Sequence, residues 1–285
     1  ELLSSRKIQV YEASHPLPDE RGVRASHKLL DLVNTRPTDS LAVACISGGG
    51  SSLFCTPAHN LTLDDMQATN LALLQSGWGI HEVNTVRKQL ELGKGGGLST
   101  DIAFILSDVL GDPLHLIACG PTVTASTTSE DAWKLIQERW PSHLEFPAKA
   151  WQVLQKPSKK AEFNKCRNYL VCNNGMAVEA AAKQAKELGY QPVILGTQIQ
   201  GEASTVAKVL VAMAQHIQQS KGDFRVASEL PVALIGGGET TVTLPKANGT
   251  GGRNQELALA AAVALESLKL DNVVVASIGT DGSDG

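Results

Sequence analysis

The sequence has 285 residues, of which 42% are hydrophobic and 19% charged, and its formal net charge is -4. These values indicate a globular protein with one large domain or two, and they exclude a disordered chain. Without an excess of basic residues, the chain lacks the electrostatic signature of nucleic-acid binding. No apolar run reaches the roughly 20 residues that span a membrane. We therefore expect a small-molecule partner, with neither nucleic acid nor membrane.

Five cysteines stand at positions 45, 55, 119, 166 and 172, without the paired spacing of a zinc site. We interpret them as reduced thiols, which are typical of a cytoplasmic protein. The chain starts at Glu1 rather than Met and stops at Gly285 inside a loop rich in glycine and aspartate. We expect truncation at both ends, so a mitochondrial location stays open if a targeting segment is missing.

The hydrophobic patterns predict strands alternating with helices. In chain order these are a strand over 40–47, a helix over 64–77, strands over 101–109 and 169–172, a helix over 176–188, a strand over 191–195 and a helix over 203–219. The polar segment 218–229 is the candidate domain boundary. Beyond it we predict strands over 232–235 and 240–244 with a loop at 236–239 between them, a loop at 246–252, a helix over 254–268 and a strand over 273–278. This alternation predicts an α/β fold with a largely parallel sheet covered on both faces.

The first candidate site is a loop of serine and glycine after the first predicted strand. Ligands of open α/β sheets bind beyond the carboxyl ends of the strands. Glycine lets backbone N–H groups approach an anion and serine adds hydroxyl donors, so the loop suits phosphate. A tight turn is the alternative interpretation. The residues are Ser47, Gly48, Gly49, Gly50, Ser51 and Ser52.

The second candidate site places Arg87, Lys88 and Lys94 near the glycine run 93–97. Cations beside N–H groups that glycine exposes suit a triphosphate or a carboxylate substrate. The alternative is a solvated helix end with a glycine cap. The segment is not a Walker A loop, because Lys94 is followed by Gly95 rather than by serine or threonine.

The third candidate site contains Asp108 and Asp112, which follow the predicted strand 101–109. Such carboxylates hold Mg²⁺, which takes one or two of them together with phosphate oxygens, or accept the proton of an attacking hydroxyl. The alternative is that both aspartates only shape turns.

The fourth candidate site combines two glycine-rich stretches. GGGET contains Gly237, Gly238 and Glu239, and GTGGRNQE carries Arg253 and Asn254 at the start of a helix. A cation at a helix N-terminus is unfavourable unless an anion meets it, so we predict that Arg253 clamps a phosphate or carboxylate. Asn254 is also an ordinary N-cap residue.

These stretches together resemble the class II glycerate kinases that carry a MOFRL C-terminal domain. The resemblance spans essentially the whole chain. It rests on HPLPDERG, ISGGGSSL, VRKQLELGKGGGL, LSDVLGDP with ACGPTV, IGGGETTVTL, GTGGRNQELAL and GTDGSDG, in that order. It implies a Rossmann-like domain over 1–226, a smaller α/β MOFRL domain over 227–285 and an active site in the cleft between them. It also implies the phosphorylation of D-glycerate to 2-phosphoglycerate with ATP and Mg²⁺.

The resemblance also implies roles for single residues. The aspartate of the SDVxGD segment is Asp108 or Asp112, and the arginine of GGRNQE is Arg253. Residues 47–52 and 236–238 would then cradle phosphate, with Lys88 and Lys94 adding positive charge. Two alternatives stay open: an oxidoreductase acting on hydroxypyruvate or related hydroxyacids, and a truncated isoform that binds without turnover. For the assembly, we consider a homodimer.

Overall fold

The computed structural model describes residues 8–15, 17–156, 165–219, 231–244, 250–280 and 284. The chain forms two compact units, Glu1–Val171 and Cys172–Gly285. The boundary predicted between residues 226 and 227 lies within 220–230, outside the described residues, and stays a prediction.

Unit 1 contains a three-stranded sheet in the order β1-β2-β3. Its elements are α1 (Glu20–Asn34), β1 (Val43–Ile46), α2 (Gly50–Leu53), α3 (Leu63–Gln75), α4 (Ile80–Gln89), β2 (Ile102–Leu106), a 3-10 helix (Ile117–Cys119), α5 (Ser129–Arg139), α6 (Ala148–Leu154) and β3 (Arg167–Cys172). Strands β1 and β2 are parallel, with Ile46 opposite Ile105. The loops that follow these two strands therefore start at the same edge of the sheet. The strands and the helix that the sequence predicted in this unit are confirmed.

Helices α3 to α6 enclose an apolar core of their own. Its buried residues include Met66, Leu73, Val86, Leu90 and Leu154, and tryptophan side chains pack around them. A second cluster, around Ala103, Ile105 and Ile117, joins the sheet to the 3-10 helix. The second cluster packs the 3-10 helix against β2, and this helix contacts the candidate site described in the next subsection.

Capping boxes begin helices α3 and α5. In each, a threonine hydroxyl accepts the N–H of an aspartate three residues on, and that aspartate accepts the threonine N–H in return. The pairs are Thr62 with Asp65 and Thr128 with Asp131. Asp65 also accepts a hydrogen bond of 2.9 Å from Lys149, and thereby links α3 to α6.

The described residues of unit 2 form two parallel strands and three helices. They are α7 (Asn174–Glu187), β4 (Gln191–Glu202), α8 (Ala203–Gln219), β5 (Val232–Thr241) and α9 (Arg253–Leu268). Helices α8 and α9 pack through small residues, among them Ala203, Ala207 and Ala261, which let the two helices approach closely. Predicted helices 176–188, 203–219 and 254–268 are confirmed.

Two predictions for unit 2 are wrong. Residues 236–239 do not form a loop, because β5 continues through them in parallel pairing with β4. The glycines permit this pairing: a side chain on Gly238 would overlap the backbone of Ile199, and one on Gly236 would meet the Ile199 side chain at 2.5 Å. Residues 273–278 do not form a strand, since no strand in the described ranges pairs with them. Most of the predicted loop 246–252 lies outside the described residues.

Within the described ranges, no helix is both long enough and apolar enough to cross a membrane.

Replacing Asp65 tests the link between α3 and α6. Hydrogen bonds from the Thr62 hydroxyl and N–H, and then from Lys149, lower the pKa of Asp65 to about 2. Asp65→Ala should therefore reduce the free energy of unfolding by about 1 kcal/mol at neutral pH. The stabilisation is complete above pH ~4, the unfolded-state pKa, and is lost as the pH falls through the folded-state pKa. Urea denaturation at several pH values measures it.

Asp131→Ala is the matched control, because it removes the same capping box without a lysine from another helix. The Asp65 variant should lose more stability than this control. Equal losses at every pH would contradict a contribution from Lys149.

Candidate phosphate-binding site

The loop after β1 lies against the loop after β2, as the parallel pairing requires. A Cβ atom built on Gly48 would be 2.7 Å from the Asp108 carboxylate, and one built on Gly49 would be 3.2 Å from the His15 ring. Gly49 has a φ of 76° and its carbonyl accepts the N–H groups of Ser52 and Leu53. Side chains at these glycines would therefore strain the backbone or displace the aspartate and the histidine.

Four successive N–H groups in this loop are available to a ligand. No acceptor in the described part of the chain is bonded to the backbone N–H of Gly48, Gly49, Gly50 or Ser51. Unpaired backbone donors are rare where water is excluded, whereas at an exposed or half-exposed loop they can bind an anion. Phosphate binding by this loop stays a prediction.

The 3-10 helix contacts the glycine loop of residues 48–51 through a strained turn. Ala118, Cys119 and Gly120 all have left-handed backbone angles, with φ of 50°, 60° and 62°. Such angles are costly for residues other than glycine and persist only where the surroundings hold them. The Cys119 sulfur lies 3.3 Å from the Ser51 hydroxyl and donates to the Asn84 amide oxygen at 3.4 Å. The strained turn thus holds Ser51 by its side chain.

The glycine run 93–97 has a different role from the predicted one. Gly95 and Gly96 donate their N–H groups to the carbonyls of Cys119 and Gly120, at 3.1 and 2.9 Å. These N–H groups are consequently paired within the protein, and the prediction that they face an anion is wrong. The glycines are needed for close packing instead, because a side chain on Gly97 would overlap the Leu92 carbonyl.

The three cations of this segment have three different environments. Arg87 donates to the Asn70 amide oxygen at 2.8 Å. Lys94 is buried and paired with Glu91. Lys88 is half-buried and has no carboxylate partner in the part of the chain that the structure describes. Burial lowers the pKa of Lys88, with a smaller opposing effect from Cys119.

The imidazole of His115 lies close enough to Lys88 to respond to its charge. Burial, then Lys88, then His81 lower the pKa of His115, whose ring centroid is 6.1 Å from that of His81. Lys88 is thus a half-buried cation without a carboxylate partner in the described residues, and such charge attracts an anion.

Asp108 and Asp112 both follow β2 but differ in setting. The Asp108 residue is exposed beside the glycine loop. Asp112 has a φ of 56° and its N–H closes a turn to the carbonyl of Val109 at 3.1 Å. The described residues contain no cluster of three or more metal-ligating side chains. A magnesium site here would rely on one or two carboxylates and on phosphate oxygens, which is the usual arrangement for Mg²⁺.

In unit 2, Arg253 is paired with Glu239, with 3.2 Å between the guanidinium and the carboxylate. Both side chains are exposed, so this ion pair adds little stability. Gly237 lies within β5 and is packed against the side chain of Asn174. From the helix dipole we expected an anion beside Arg253. The carboxylate of Glu239 is such an anion.

The N-terminus of α9 already holds an anion. The Asp284 carboxylate accepts the backbone N–H groups of Asn254 and Gln255, each at 2.9 Å, and the Asn254 side-chain amide at 3.0 Å. These bonds, first that from the Asn254 backbone, lower the pKa of Asp284. Asn254 is not the N-cap, which is Gly252.

Four residues of these sites were not singled out from the sequence: Glu91, Asn84, Cys119 and Asp284. The signal for Asp284 was present, since an acid in the glycine-rich GTDGSDG stretch suits a helix N-terminus. The other three depend on contacts between segments far apart in the chain, which no local pattern reveals.

Exchanging Gly96 for alanine tests whether this run packs as described. Gly96 has a φ of 94° and an added Cβ would be 2.9 Å from the Thr124 backbone, whereas Gly77 has a φ of 70° with open space around it. Gly77→Ala should cost about 1–2 kcal/mol in the free energy of unfolding for its left-handed backbone alone. Gly96→Ala should cost about 1–3 kcal/mol more, from overpacking. Equal costs in urea denaturation would contradict the close packing.

Two family descriptions match the chain. "Domain of unknown function (DUF4147)" matches residues 2–155, which is more than half of the chain, and "MOFRL family" matches residues 232–285. Fold and matches together define an α/β protein that carries a DUF4147 and a MOFRL domain. The chain belongs to the class II glycerate kinase family.

Similar proteins include a glycerate 2-kinase from Pyrococcus horikoshii, at 36% identity over 98% of this chain and 64% of that protein. A D-glycerate 2-kinase from Thermotoga maritima is 38% identical over 98% of this chain and 66% of its own length. An Agrobacterium vitis protein, provisionally named a hydroxypyruvate reductase, is 39% identical over 98% of this chain and 73% of its own length. The chain thus spans about two thirds of the length of these relatives.

A crystal structure of a glycerate kinase from Thermotoga maritima matches with a TM-score of 0.85 and 36% identity. The match covers 99% of this chain and 67% of that one. The predicted α/β fold class is confirmed.

Proposed function

We propose that the protein phosphorylates D-glycerate with ATP and gives 2-phosphoglycerate and ADP. The observation that carries the proposal is the group of four available N–H donors, from Gly48 to Ser51, beside the Asp108 carboxylate. The glycerate kinases among its relatives support the choice of reaction. We propose a small-molecule substrate only, a cytoplasmic location and a homodimer.

The glycine loop would bind the phosphates of ATP. Phosphoryl transfer depends mainly on positioning and on neutralising charge over the phosphoryl oxygens, and backbone N–H groups contribute to both. The Ser47 and Ser52 hydroxyls would add donors at the two ends of the loop. Lys88 would supply the positive charge that no carboxylate in the described residues compensates.

Asp108 would accept the proton of the glycerate 2-hydroxyl as that oxygen attacks the γ-phosphorus and the bond to ADP breaks. Its exposed carboxylate lies next to the loop that would hold the phosphates, as a base must. Asp112 is the alternative. Magnesium, when bound, would neutralise charge on the phosphates, and the same two carboxylates are the candidates to hold it.

In unit 2, Arg253 would bind a carboxylate or a phosphate in the bidentate manner of a guanidinium. The carboxylate of Glu239 lies 3.2 Å from the guanidinium of Arg253. Gly237, Gly238 and Asn254 would have a supporting role, since the first two lie in β5 and the third is bonded to Asp284.

Changing Asp108 to asparagine tests the proposed base. The variant keeps the shape of the side chain but cannot accept a proton, so kcat should fall by about 100-fold or more. Release of ADP from ATP and D-glycerate, in a coupled assay, measures kcat. Asp39→Asn is the control, because Asp39 is exposed in a turn before β1. A wild-type kcat for Asp108→Asn would contradict the assignment, and a loss in Asp112→Asn instead would favour Asp112.

Changing Arg253 tests substrate binding by unit 2. Arg253→Gln should raise KM for D-glycerate or lower kcat by about 10- to 100-fold, as expected for the loss of a charge-assisted pair. Lys183→Gln, on the exposed surface of α7, is the control. Unchanged kinetics would exclude Arg253 from the reaction.

The Agrobacterium vitis relative bears a reductase name, so the wild-type protein is also assayed with hydroxypyruvate and NADH. We expect no NADH consumption.

A further inference from the structure

Glu91 and Lys94 form an ion pair buried beneath the glycine loop. The side chain of Glu91 is only 2% exposed and that of Lys94 only 3%, and the two residues are three positions apart in the sequence. Burying two charges is unfavourable unless geometry and hydrogen bonds compensate fully. Burial is the largest single effect on Lys94 and acts against its charged form. The charge and hydrogen bond of Glu91, together with the charges of Cys119 and Cys55, outweigh it, so the pKa of Lys94 lies above its usual value.

Both members of the pair are bonded to the chain that carries the loop. Lys94 donates to the backbone carbonyl of Ser51 at 2.8 Å. Glu91 accepts the backbone N–H of Thr56 at 3.0 Å. The Thr56 hydroxyl in turn accepts the N–H of Gly93 at 2.8 Å. This is a third bond between residues 91–94 and residues 51–56. Burial, followed by the charge of Glu91, raises the pKa of the neighbouring Cys55 to about 12, so its thiol stays neutral and leaves the pair undisturbed.

These bonds fix the peptide group between Ser51 and Ser52 at both ends. Lys94 holds its carbonyl, and the carbonyl of Gly49 accepts its N–H at 3.0 Å. The Ser51 hydroxyl is held separately by Cys119. A peptide group is planar, so holding both of its ends removes its rotation. The N–H groups of Gly48 to Ser51 are left as the donors of the loop.

We propose that Glu91 and Lys94 are positioning residues that hold the loop of residues 48–51 in the conformation that binds the phosphates of ATP. Lys94 acts through Ser51 and does not touch the nucleotide, because its charge is neutralised by Glu91 and its side chain is enclosed. This role rests on the proposed kinase function. It differs from the direct contribution of charge to the ligand that the sequence predicted for Lys94.

The double variant Glu91→Gln/Lys94→Met is the test, because removing both charges leaves neither buried alone. KM for ATP, KM for D-glycerate, kcat, the melting temperature and backbone hydrogen exchange are measured. We expect KM for ATP to rise about 10- to 100-fold, the effect of a small misplacement of binding groups, with KM for glycerate within about twofold. Exchange over residues 47–54 should quicken, while exchange over α3 stays unchanged. Lys94→Arg should retain much of the ATP affinity, because arginine can bond to both Glu91 and Ser51.

Lys134→Met is the matched control, since Lys134 pairs with Glu130 on the exposed surface of α5 and should leave every readout unchanged. A folded double variant with an unaltered KM for ATP and unaltered exchange over 47–54 would overturn the positioning role. So would a general loss of protection, extending to α3, which would show a purely structural role. If the unmodified protein does not turn over ATP, the kinase proposal fails. Exchange over 47–54 with and without ATP then decides the positioning role: protection by ATP that the double variant loses supports it, and no protection overturns it.

Discussion

The parallel pairing of β1 with β2 is the constraint on which the candidate site of unit 1 depends. Parallel strands end at the same edge of a sheet, so the loop after Ile46 and the loop after Leu106 meet there whatever their own sequences prefer. The meeting brings Asp108 against Gly48, at a distance that only glycine allows. The core around Ala103, Ile105 and Ile117 then holds the strained 3-10 helix under the glycine loop. The site is thus a product of sheet topology first and of local glycine chemistry second.

Charge compensation separates the residues that support the fold from those available to a ligand. Lys94 has a buried carboxylate partner, Arg87 has a neutral amide partner, and Lys88 has neither a carboxylate nor full exposure to water. A partly buried cation without a carboxylate is unfavourable in the free protein and becomes favourable when an anion arrives. The same reasoning applies to the start of α9 in unit 2, where Glu239 pairs with Arg253 and Asp284 accepts the N–H groups of Asn254 and Gln255.

The sequence was sufficient for most of the fold, because buried strands and amphipathic helices leave periodic patterns that neighbours in the chain determine. It failed at β5, where Gly236 to Gly238 suggested a loop and instead pair with β4. Pairing depends on a partner 40 residues away, roughly, and on the space that glycine leaves for it. It failed again at 273–278, whose apolar pattern has no strand to pair with in the described chain. Of the site, the glycine loop and Asp108 were predicted as two separate candidates, and the burial of Lys94 was not predicted. Its partner Glu91 lies only three residues away, yet nothing local shows that both side chains point inward.

The carboxylate of Asp284 at the start of α9 has a further consequence. Because it accepts the two N–H groups that an incoming phosphate or carboxylate would use, the protein supplies an internal competitor for that position. An external anion would have to displace the Asp284 carboxylate from these two N–H groups. Its apparent affinity would be lowered by the free energy of the hydrogen bonds that Asp284 loses. Binding of an anion at the start of α9 and the hydrogen bonds of Asp284 are therefore coupled to each other.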